Sequence, residues 1–139
     1  MIVLDTNVLS EVLRPAPEPC VVDWLKDQPR ASLFTTTVTR AEILYGIRAL
    51  PAGKRRDGLW DAAIKIFDID FAGQVLAFDN AAADEFAQIS ASRRAAGRPI
   101  TQFDALIAGT TRSRGAKLAT RNVTDFEGCD IEVINPWGE

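Results

Sequence analysis

Short apolar segments alternate with longer amphipathic segments along the chain, and this alternation restricts its fold more than any other feature. Apolar runs, several rich in β-branched residues, predict strands at residues 1–5, 33–38, 74–77, 117–120 and 132–134. Helical spacing of apolar residues predicts a helix that starts at Thr39 and others at residues 7–13, 20–26, 55–67, 81–95 and 101–113. Strands that alternate with helices favour a parallel sheet covered by helices, so we expect one α/β domain over residues 1–139.

Four acidic residues stand where such a sheet would bring them together. Asp5 closes the first strand, Glu42 comes just after the second, Asp104 opens the last long helix, and Asp125 follows the fourth strand. Because the loops past the carboxyl ends of parallel strands converge on one crevice, we expect these carboxylates to meet there. Two unit charges about 4 Å apart repel by roughly 4 kcal/mol at an effective dielectric constant of about 20. A divalent cation that prefers carboxylate oxygen, such as Mg²⁺ or Mn²⁺, would remove that cost.

Asp5 and Asp125 each have a purely structural alternative. An aspartate directly before a helix is a common N-cap, but Thr6 or Asn7 can cap the first helix unaided, so cap and metal ligand both stay open for Asp5. Asp125 lies in a segment, residues 120–126, that contains the turn formers asparagine, threonine and aspartate. The order of the acids along the chain, rather than any single position, therefore favours a shared site.

Glu42 and Asp104 have a stronger alternative, because each stands three residues after a threonine. Thr39 and Glu42, like Thr101 and Asp104, have the spacing of a capping box, in which the acid bonds back to the backbone of the cap residue. Such a cap typically stabilises a helix by about 1 kcal/mol, and Glu42 taken alone fits it better than a metal site. The two roles conflict only in part, since one carboxylate oxygen can cap while the other binds a metal.

The composition excludes several kinds of active site. The chain has no histidine, so Ser-His-Asp and Cys-His catalysis and histidine-ligated zinc are ruled out. Cys20 and Cys129 are far apart and form no C-x-x-C pair, which predicts two buried free thiols. The net charge of −3 argues weakly against a nucleic-acid partner, and the clusters of basic residues are typical of solvated helix faces. In an enzyme of this composition, carboxylates and a metal must carry most of the chemistry.

Hydropathy indicates a protein without a membrane segment. No apolar run approaches the roughly 20 residues that a membrane span requires. Asp5 interrupts the apolar N-terminal segment and no basic residue precedes it, which is unlike a secretory signal. We therefore expect a cytoplasmic protein.

Five segments, in order along the chain, carry a resemblance to a known family. They are Ile-Val-Leu-Asp-Thr-Asn-Val at 2–8, Arg-Ala-Glu-Ile-Leu-Tyr-Gly at 40–46, Gly-Arg-Pro-Ile at 97–100, Phe-Asp-Ala-Leu-Ile-Ala at 103–108 and Leu-Ala-Thr-Arg-Asn-Val-Thr-Asp-Phe at 118–126. With these segments the chain resembles the PIN-domain ribonucleases, most closely the VapC-type toxins of toxin–antitoxin pairs, including their FitB-like branch. The resemblance implies a PIN-like three-layer α/β/α sandwich with a central five-stranded parallel sheet. It also implies RNA cleavage that depends on Mg²⁺ or Mn²⁺.

The resemblance assigns roles to individual residues. The conserved acids of the family, which are catalytic and hold the metal, fall on Asp5, Glu42 and Asp104, and the more variable fourth acid falls on Asp125. In some relatives the fourth acid stands nearer the strand, at the position of Asn122, which is therefore the alternative for that role. The polar positions expected to contact the phosphate or the water fall on Thr6, Asn7, Thr120, Arg121 and Asn122.

The resemblance also implies a protein partner. Toxins of this type are held inactive by a small VapB-like antitoxin whose tail reaches the acidic site, often with a basic side chain. Family members pair as homodimers, and two dimers can join through their antitoxins. This chain has no recognisable DNA-binding motif, so any contact with promoter DNA would come through the antitoxin.

Three other functions have to be separated from that of a ribonuclease toxin. A phosphatase of the haloacid dehalogenase type also begins with a strand that ends in aspartate, but its second aspartate would stand where this chain has Asn7. A PIN-like module that binds RNA or protein without cleavage is disfavoured, because all four acids are present. A PIN nuclease of housekeeping RNA processing would carry the same residues, and the neighbouring reading frame would distinguish it.

Overall fold

A five-stranded sheet forms the centre of the computed structural model, which describes residues 1–139. Its strands are β1 (Ile2–Leu4), β2 (Leu33–Thr36), β3 (Val75–Leu76), β4 (Lys117–Ala119) and β5 (Val133–Ile134). They pair in the order β3-β2-β1-β4-β5, and every pairing is parallel. The predicted parallel α/β sheet is therefore confirmed. All five strands are shorter than predicted, and β1 and β2 end early because α1 begins at Thr6 and α3 at Thr37.

Six α-helices surround this sheet and start within two residues of the predicted positions. They are α1 (Thr6–Val12), α2 (Pro19–Asp27), α3 (Thr37–Arg48), α4 (Lys54–Lys65), α5 (Asn80–Ala95) and α6 (Gln102–Ser113). A π-helical turn at Ile66–Asp70 and 3₁₀ turns at Arg30–Ser32 and Val123–Phe126 were not predicted, because such short segments show no amphipathic period. None of the six helices has the length and apolar character that crossing a bilayer requires.

Each face of the sheet has its own apolar core. Successive strand residues point to opposite faces, so Val3 and Leu118 pack with α5 and α6, whereas Leu4 and Ala119 pack with α1 to α4. The helices therefore form two layers with the sheet between them. This is the predicted three-layer α/β/α sandwich.

The strand order determines where a ligand crevice can form. β2 and β3 lie on one side of β1, whereas β4 and β5 lie on the other. The carboxyl ends of β1 and β4 are thus the point at which the strand order reverses, and open α/β sheets bind ligands at such points. Asp5 directly follows β1, and Thr120 directly follows β4.

The two cysteines differ from each other in their surroundings. Both are free thiols, as predicted, and Cys129 is buried. The prediction that Cys20 is also buried is wrong, because it lies on the exposed side of α2. Only one stripe of an amphipathic surface helix packs against the core, and in α2 the buried residue is Val21.

Candidate active site

A cleft of about 490 Å³ opens beside the carboxyl ends of β1 and β4. Three of the four predicted acids, Asp5, Glu42 and Asp104, line this cleft, although they are up to 99 positions apart in the chain. Its complete lining is Asp5, Thr6, Asn7, Ser10, Glu11, Arg14, Glu42, Asp104, Arg121, Asn122 and Trp137. The reversal of strand order therefore brings together the acids that the sequence places at separate strand ends.

Asp5 is a buried carboxylate in this cleft, with 4% of its surface exposed. It is the N-cap of α1, and its Oδ1 accepts a hydrogen bond from the backbone N–H of Thr6 at 2.8 Å. Its Oδ2 accepts hydrogen bonds from the Thr120 hydroxyl at 2.8 Å and from the Asn7 side-chain amide at 3.4 Å. The prediction that Thr6 or Asn7 caps α1 is wrong, because an N-cap needs extended backbone and that conformation occurs at Asp5.

Thr120 holds Asp5 and is itself fully buried. Its hydroxyl donates to Asp5 and accepts hydrogen bonds from the Asn7 side-chain amide at 3.0 Å and the Asn122 backbone N–H at 3.1 Å. A hydroxyl group has one donor and two acceptor positions, so the capacity of Thr120 is fully used. These contacts orient the Asp5 carboxylate, and the contact of Thr120 with the phosphate stays a prediction.

Glu42 reaches the cleft from the second turn of α3. This helix starts earlier than predicted because Thr36 is its N-cap and accepts a hydrogen bond from the Thr39 backbone N–H at 3.0 Å. Thr39 therefore lies inside the helix, and the capping box predicted for Thr39 and Glu42 is wrong. Instead, the Thr6 hydroxyl donates to Glu42 Oε1 at 2.9 Å and lies 3.0 Å from the Thr39 hydroxyl. This contact joins the starts of α1 and α3 and orients the Glu42 carboxylate.

Asp104 enters the cleft from the first turn of α6. Thr101 is the N-cap of this helix, as its spacing predicts, and its hydroxyl oxygen accepts a hydrogen bond from the Asp104 backbone N–H at 3.3 Å. The Asp104 side chain is only half-buried and lines the cleft. Asp104 thus belongs both to the cap of α6 and to the clustered acids.

Asp125 is the one predicted acid that does not line the cleft. It lies on the 3₁₀ turn after β4 and is exposed, in a shallow depression that shares Arg121 and Asn122 with the cleft. Its negative charge nevertheless raises the pKa of Asp104. The structure therefore places Asn122 in the cleft and Asp125 at its margin.

Burial and neighbouring negative charges raise the pKa of each clustered acid. Burial raises the pKa of Asp5 from its ordinary 3.8 to about 6; hydrogen bonds from Thr120 and Thr6 oppose this rise, and the charges of Asp104 and Glu42 add to it. Burial also raises the pKa of Glu42, with a smaller contribution from the charge of Asp104. Burial is also the main cause of the raised pKa of Asp104. A hydrogen bond with Thr101 lowers this pKa, whereas the charge of Asp125 raises it. The three carboxylates therefore share one electrostatic environment.

The acidic side chains are not already arranged around one metal position. No three acidic or cysteine side chains of the chain are arranged as a ready-made metal-binding set. The cleft nevertheless provides oxygen donors, which hard divalent cations prefer, and neighbouring negative charges raise the pKa values of its acids. The chemistry of these side chains fits a cation of the Mg²⁺ or Mn²⁺ type.

Arg121 brings a positive charge to the rim of the acidic cleft. Its guanidinium donates to the carboxylate of Glu139 at 2.7 Å and lies 5.2 Å from the centre of the Trp137 ring. The ion pair raises the pKa of Arg121 and lowers that of Glu139. Because both partners are exposed, the pair is weak and readily exchanged, so Arg121 can turn to a phosphate group.

The cleft also contains residues that the sequence alone did not suggest. Glu11 is buried and accepts hydrogen bonds from the Arg14 guanidinium at 3.1 Å and from the Glu18 backbone N–H at 3.2 Å. Glu11 could have been recognised in the sequence by its position four residues after Asn7, which places both side chains on one face of α1. Trp137 has no comparable local signal, because it reaches the cleft from beyond the last strand.

Comparison with known proteins bears on the nature of this cleft. The chain matches the PIN domain family over residues 2–127. It is 37% identical over 137 residues to the VapC ribonuclease Y4jK of Sinorhizobium fredii, covering 99% of this chain and 98% of that protein. It is 36% identical to Toxin FitB of Neisseria gonorrhoeae over 99% of both chains. The solved structure of FitAB bound to a DNA fragment has 36% sequence identity and a TM-score of 0.92, and the match covers 99% of this chain and 96% of that one.

Proposed function

The chain belongs to the PIN domain family, and we propose on this basis that it is a metal-dependent endoribonuclease that acts as the toxin of a toxin–antitoxin pair. The observation that carries the proposal is the cleft where Asp5, Glu42 and Asp104 lie together with raised pKa values. Relatives named as a ribonuclease and as a toxin are similar to the chain over nearly their whole length, which supports the same activity here. The reaction is hydrolysis of an RNA phosphodiester, in which water displaces a ribose oxygen from phosphorus.

Asp5 and Asp104 would hold the divalent cation, and Glu42 and Asp125 would complete its surroundings directly or through water. When bound, a Mg²⁺ or Mn²⁺ ion lowers the pKa of a water molecule and neutralises charge on the phosphate during displacement. The donor set supports this assignment, because the cleft offers carboxylate oxygens and the chain has no histidine. Binding of the ion also offsets the cost of keeping Asp5 charged in a buried position.

The polar residues of the cleft divide into two groups by their contacts. Thr6 and Thr120 are engaged with the acids themselves, since their hydroxyls donate to Glu42 and Asp5. The Asn7 side-chain amide donates to Asp5 and Thr120 and so belongs with them. Arg121 and Asn122 line the cleft and can contact the RNA phosphate. Arg121 would supply a positive charge to the phosphate once it leaves Glu139, a role that guanidinium groups perform well.

A cleavage assay with purified, partner-free protein tests the enzymatic proposal. We expect a labelled single-stranded RNA to be cut in Mg²⁺ or Mn²⁺ and to stay intact in excess EDTA. Asp104→Asn should lower the rate by about a hundredfold or more, as expected for loss of a preorganised charge at the reacting centre. Asp84→Asn is the matched control, because Asp84 is exposed on α5 and has neither an ion pair nor a side-chain hydrogen bond. Equal activity of Asp104→Asn and wild type, or undiminished cleavage in EDTA, would refute the proposal.

Induced expression tests the toxin role and separates it from housekeeping RNA processing. We expect the wild-type protein to arrest growth in a host without the partner, and Asp104→Asn to leave growth unchanged. Co-expression of a small neighbouring reading frame should restore growth, because its product would place a basic side chain among the acids of the cleft. Arrest by Asp104→Asn would show that toxicity does not come from RNA cleavage. Such a toxin would act in the cytoplasm, where its RNA substrates are found.

A further inference from the structure

Arg93, near the end of α5, is the one basic side chain that the fold buries, with 7% of its surface exposed. It has no acidic partner, because none of the ion pairs in the structure includes it. Burial of a charged group without strong compensating contacts is costly, so the contacts that Arg93 makes have to account for its position.

The guanidinium of Arg93 joins two separate segments of the chain. Its Nε donates to the backbone carbonyl of Arg98 at 2.7 Å, in the turn that leads into α6. Its Nη1 donates to the backbone carbonyl of Asp125 at 2.8 Å and lies 3.5 Å from the sulfur of Cys129. One rigid, planar group therefore links the segment before Asp104 to the segment that carries Asp125.

Backbone and packing contacts reinforce this link. The backbone N–H of Arg98 donates to the carbonyl of Arg93 at 2.9 Å, so the two residues exchange hydrogen bonds in both directions. Gly128 packs against the stem of Arg93, and a Cβ atom there would lie 3.6 Å from Arg93 Cδ. Gly128 also has a φ of +77°, a conformation that glycine adopts without strain. Both segments are thus in direct contact with Arg93.

The positive charge of Arg93 also affects the pKa of an acid in the cleft. Burial and the charge of Asp125 raise the pKa of Asp104, whereas the charge of Arg93 lowers it. Arg93 therefore lies near two of the four acids. It does not line the cleft itself, so it cannot contact an RNA strand bound there.

We propose that Arg93 is a positioning residue for the nuclease, one that sets where Asp125 stands relative to Asp104 by binding the carbonyls of Arg98 and Asp125. This inference rests on the proposed function, since it assigns Asp125 a part in catalysis. Arg93 acts through the backbone and touches neither the metal nor the substrate.

Arg93→Lys tests this role, because lysine keeps the charge but cannot reproduce the planar fork that bonds both carbonyls. Arg94→Lys is the matched control, since Arg94 lies in the same helical turn, is exposed and makes no side-chain hydrogen bond. We expect Arg93→Lys to lower kcat about tenfold or more with KM within about twofold, as for a displaced catalytic group. Arg94→Lys should match the wild type. Unchanged kcat in Arg93→Lys would overturn the proposal.

A double-mutant cycle with Asp125→Ala separates positioning from general support of the fold. If Arg93 acts through Asp125, Arg93→Lys should lower kcat by less than about twofold in the Asp125→Ala background. An equal fold-loss in both backgrounds would show that the two residues act independently, and would overturn the proposal.

Hydrogen exchange without metal or RNA supplies a result that does not depend on activity. In Arg93→Lys we expect faster amide exchange in residues 97–104 and 122–129, with the central strands unchanged. Unchanged exchange in those two segments would overturn the proposal even if kcat falls. Absence of cleavage by the wild-type protein would instead refute the proposed nuclease function, so the two failures are distinguishable.

Discussion

Asp5→Asn should change how the stability of the metal-free protein depends on pH. The wild-type protein must keep the buried Asp5 carboxylate charged at neutral pH, close to Asp104 and Glu42. Asparagine has almost the same size and can still accept the hydrogen bond from the Thr6 backbone, but it cannot ionise. The difference between the two proteins therefore isolates the cost of the buried charge.

The size of this effect follows from the pKa of Asp5, which is raised from 3.8 to about 6. Between these two pH values the folded protein keeps the Asp5 proton while the unfolded chain releases it. The stabilisation is therefore complete below about pH 4 and is lost as the pH rises through about 6. At about 1.4 kcal/mol per pH unit, the wild type should lose roughly 3 kcal/mol relative to Asp5→Asn over that range.

Urea unfolding at a series of pH values from 4 to 7, without divalent ions, measures this difference. Asp5→Asn also loses some stability at every pH, for example through its altered contact with Thr120. This loss does not depend on pH, so it does not change the difference in shape between the two profiles. Saturating Mg²⁺ should restore stability to the wild type at pH 7 and have little effect on Asp5→Asn. Asp84→Asn should follow the wild-type profile. Parallel profiles of wild type and Asp5→Asn in the metal-free series would refute the reasoning.

Four further substitutions test other parts of the structure. Thr120→Val removes the hydroxyl that donates to Asp5, so the acid limb of the pH–rate profile should move to higher pH; an unshifted limb would contradict this role. Gly109→Ala puts a Cβ atom 2.8 Å from a backbone oxygen of α5 and should lower the free energy of unfolding by about 1–3 kcal/mol in urea. Gly46→Ala, where open space surrounds the added Cβ atom, should raise the free energy of unfolding by about 0.5–1 kcal/mol. Equal effects of Gly109→Ala and Gly46→Ala would argue against close packing of α6 on α5. Glu42→Gln keeps an acceptor for Thr6 but loses a charge, so cleavage should require more Mg²⁺; an unchanged Mg²⁺ titration would remove Glu42 from the metal site.

Elements with a strong local pattern were predicted well from the sequence. The six helices start within two residues of their predicted positions, because apolar spacing and capping residues are read from neighbouring positions. The parallel sheet followed from the alternation of strands and helices. The approximate places of Asp5, Glu42 and Asp104 followed in turn, since parallel strands direct their carboxyl ends to one edge.

Predictions failed where two local explanations competed for one side chain. The start of α3 was misplaced because both Thr36 and Thr39 can cap a helix, and the structure selects Thr36. Cap and metal ligand both stayed open for Asp5 from the sequence, and the structure shows that it caps α1 with one oxygen and binds Thr120 with the other. Local propensity cannot rank such alternatives, because the preferred one depends on distant hydrogen-bond partners.

The sequence by itself determined the layers of the fold and the strand ends that carry acids. These properties depend on hydrophobic period and on residues adjacent in the chain, so no tertiary contact is needed to read them. Only the tertiary structure decided which oxygen of each acid accepts hydrogen bonds and which polar groups have no hydrogen-bonding capacity left. Thr120 meets Asp5 across 115 positions and Arg93 meets Asp125 across 32, distances at which no local pattern specifies a partner. Such contacts form because a buried polar group must find a hydrogen-bond partner, and the packed layers determine which partner is within reach.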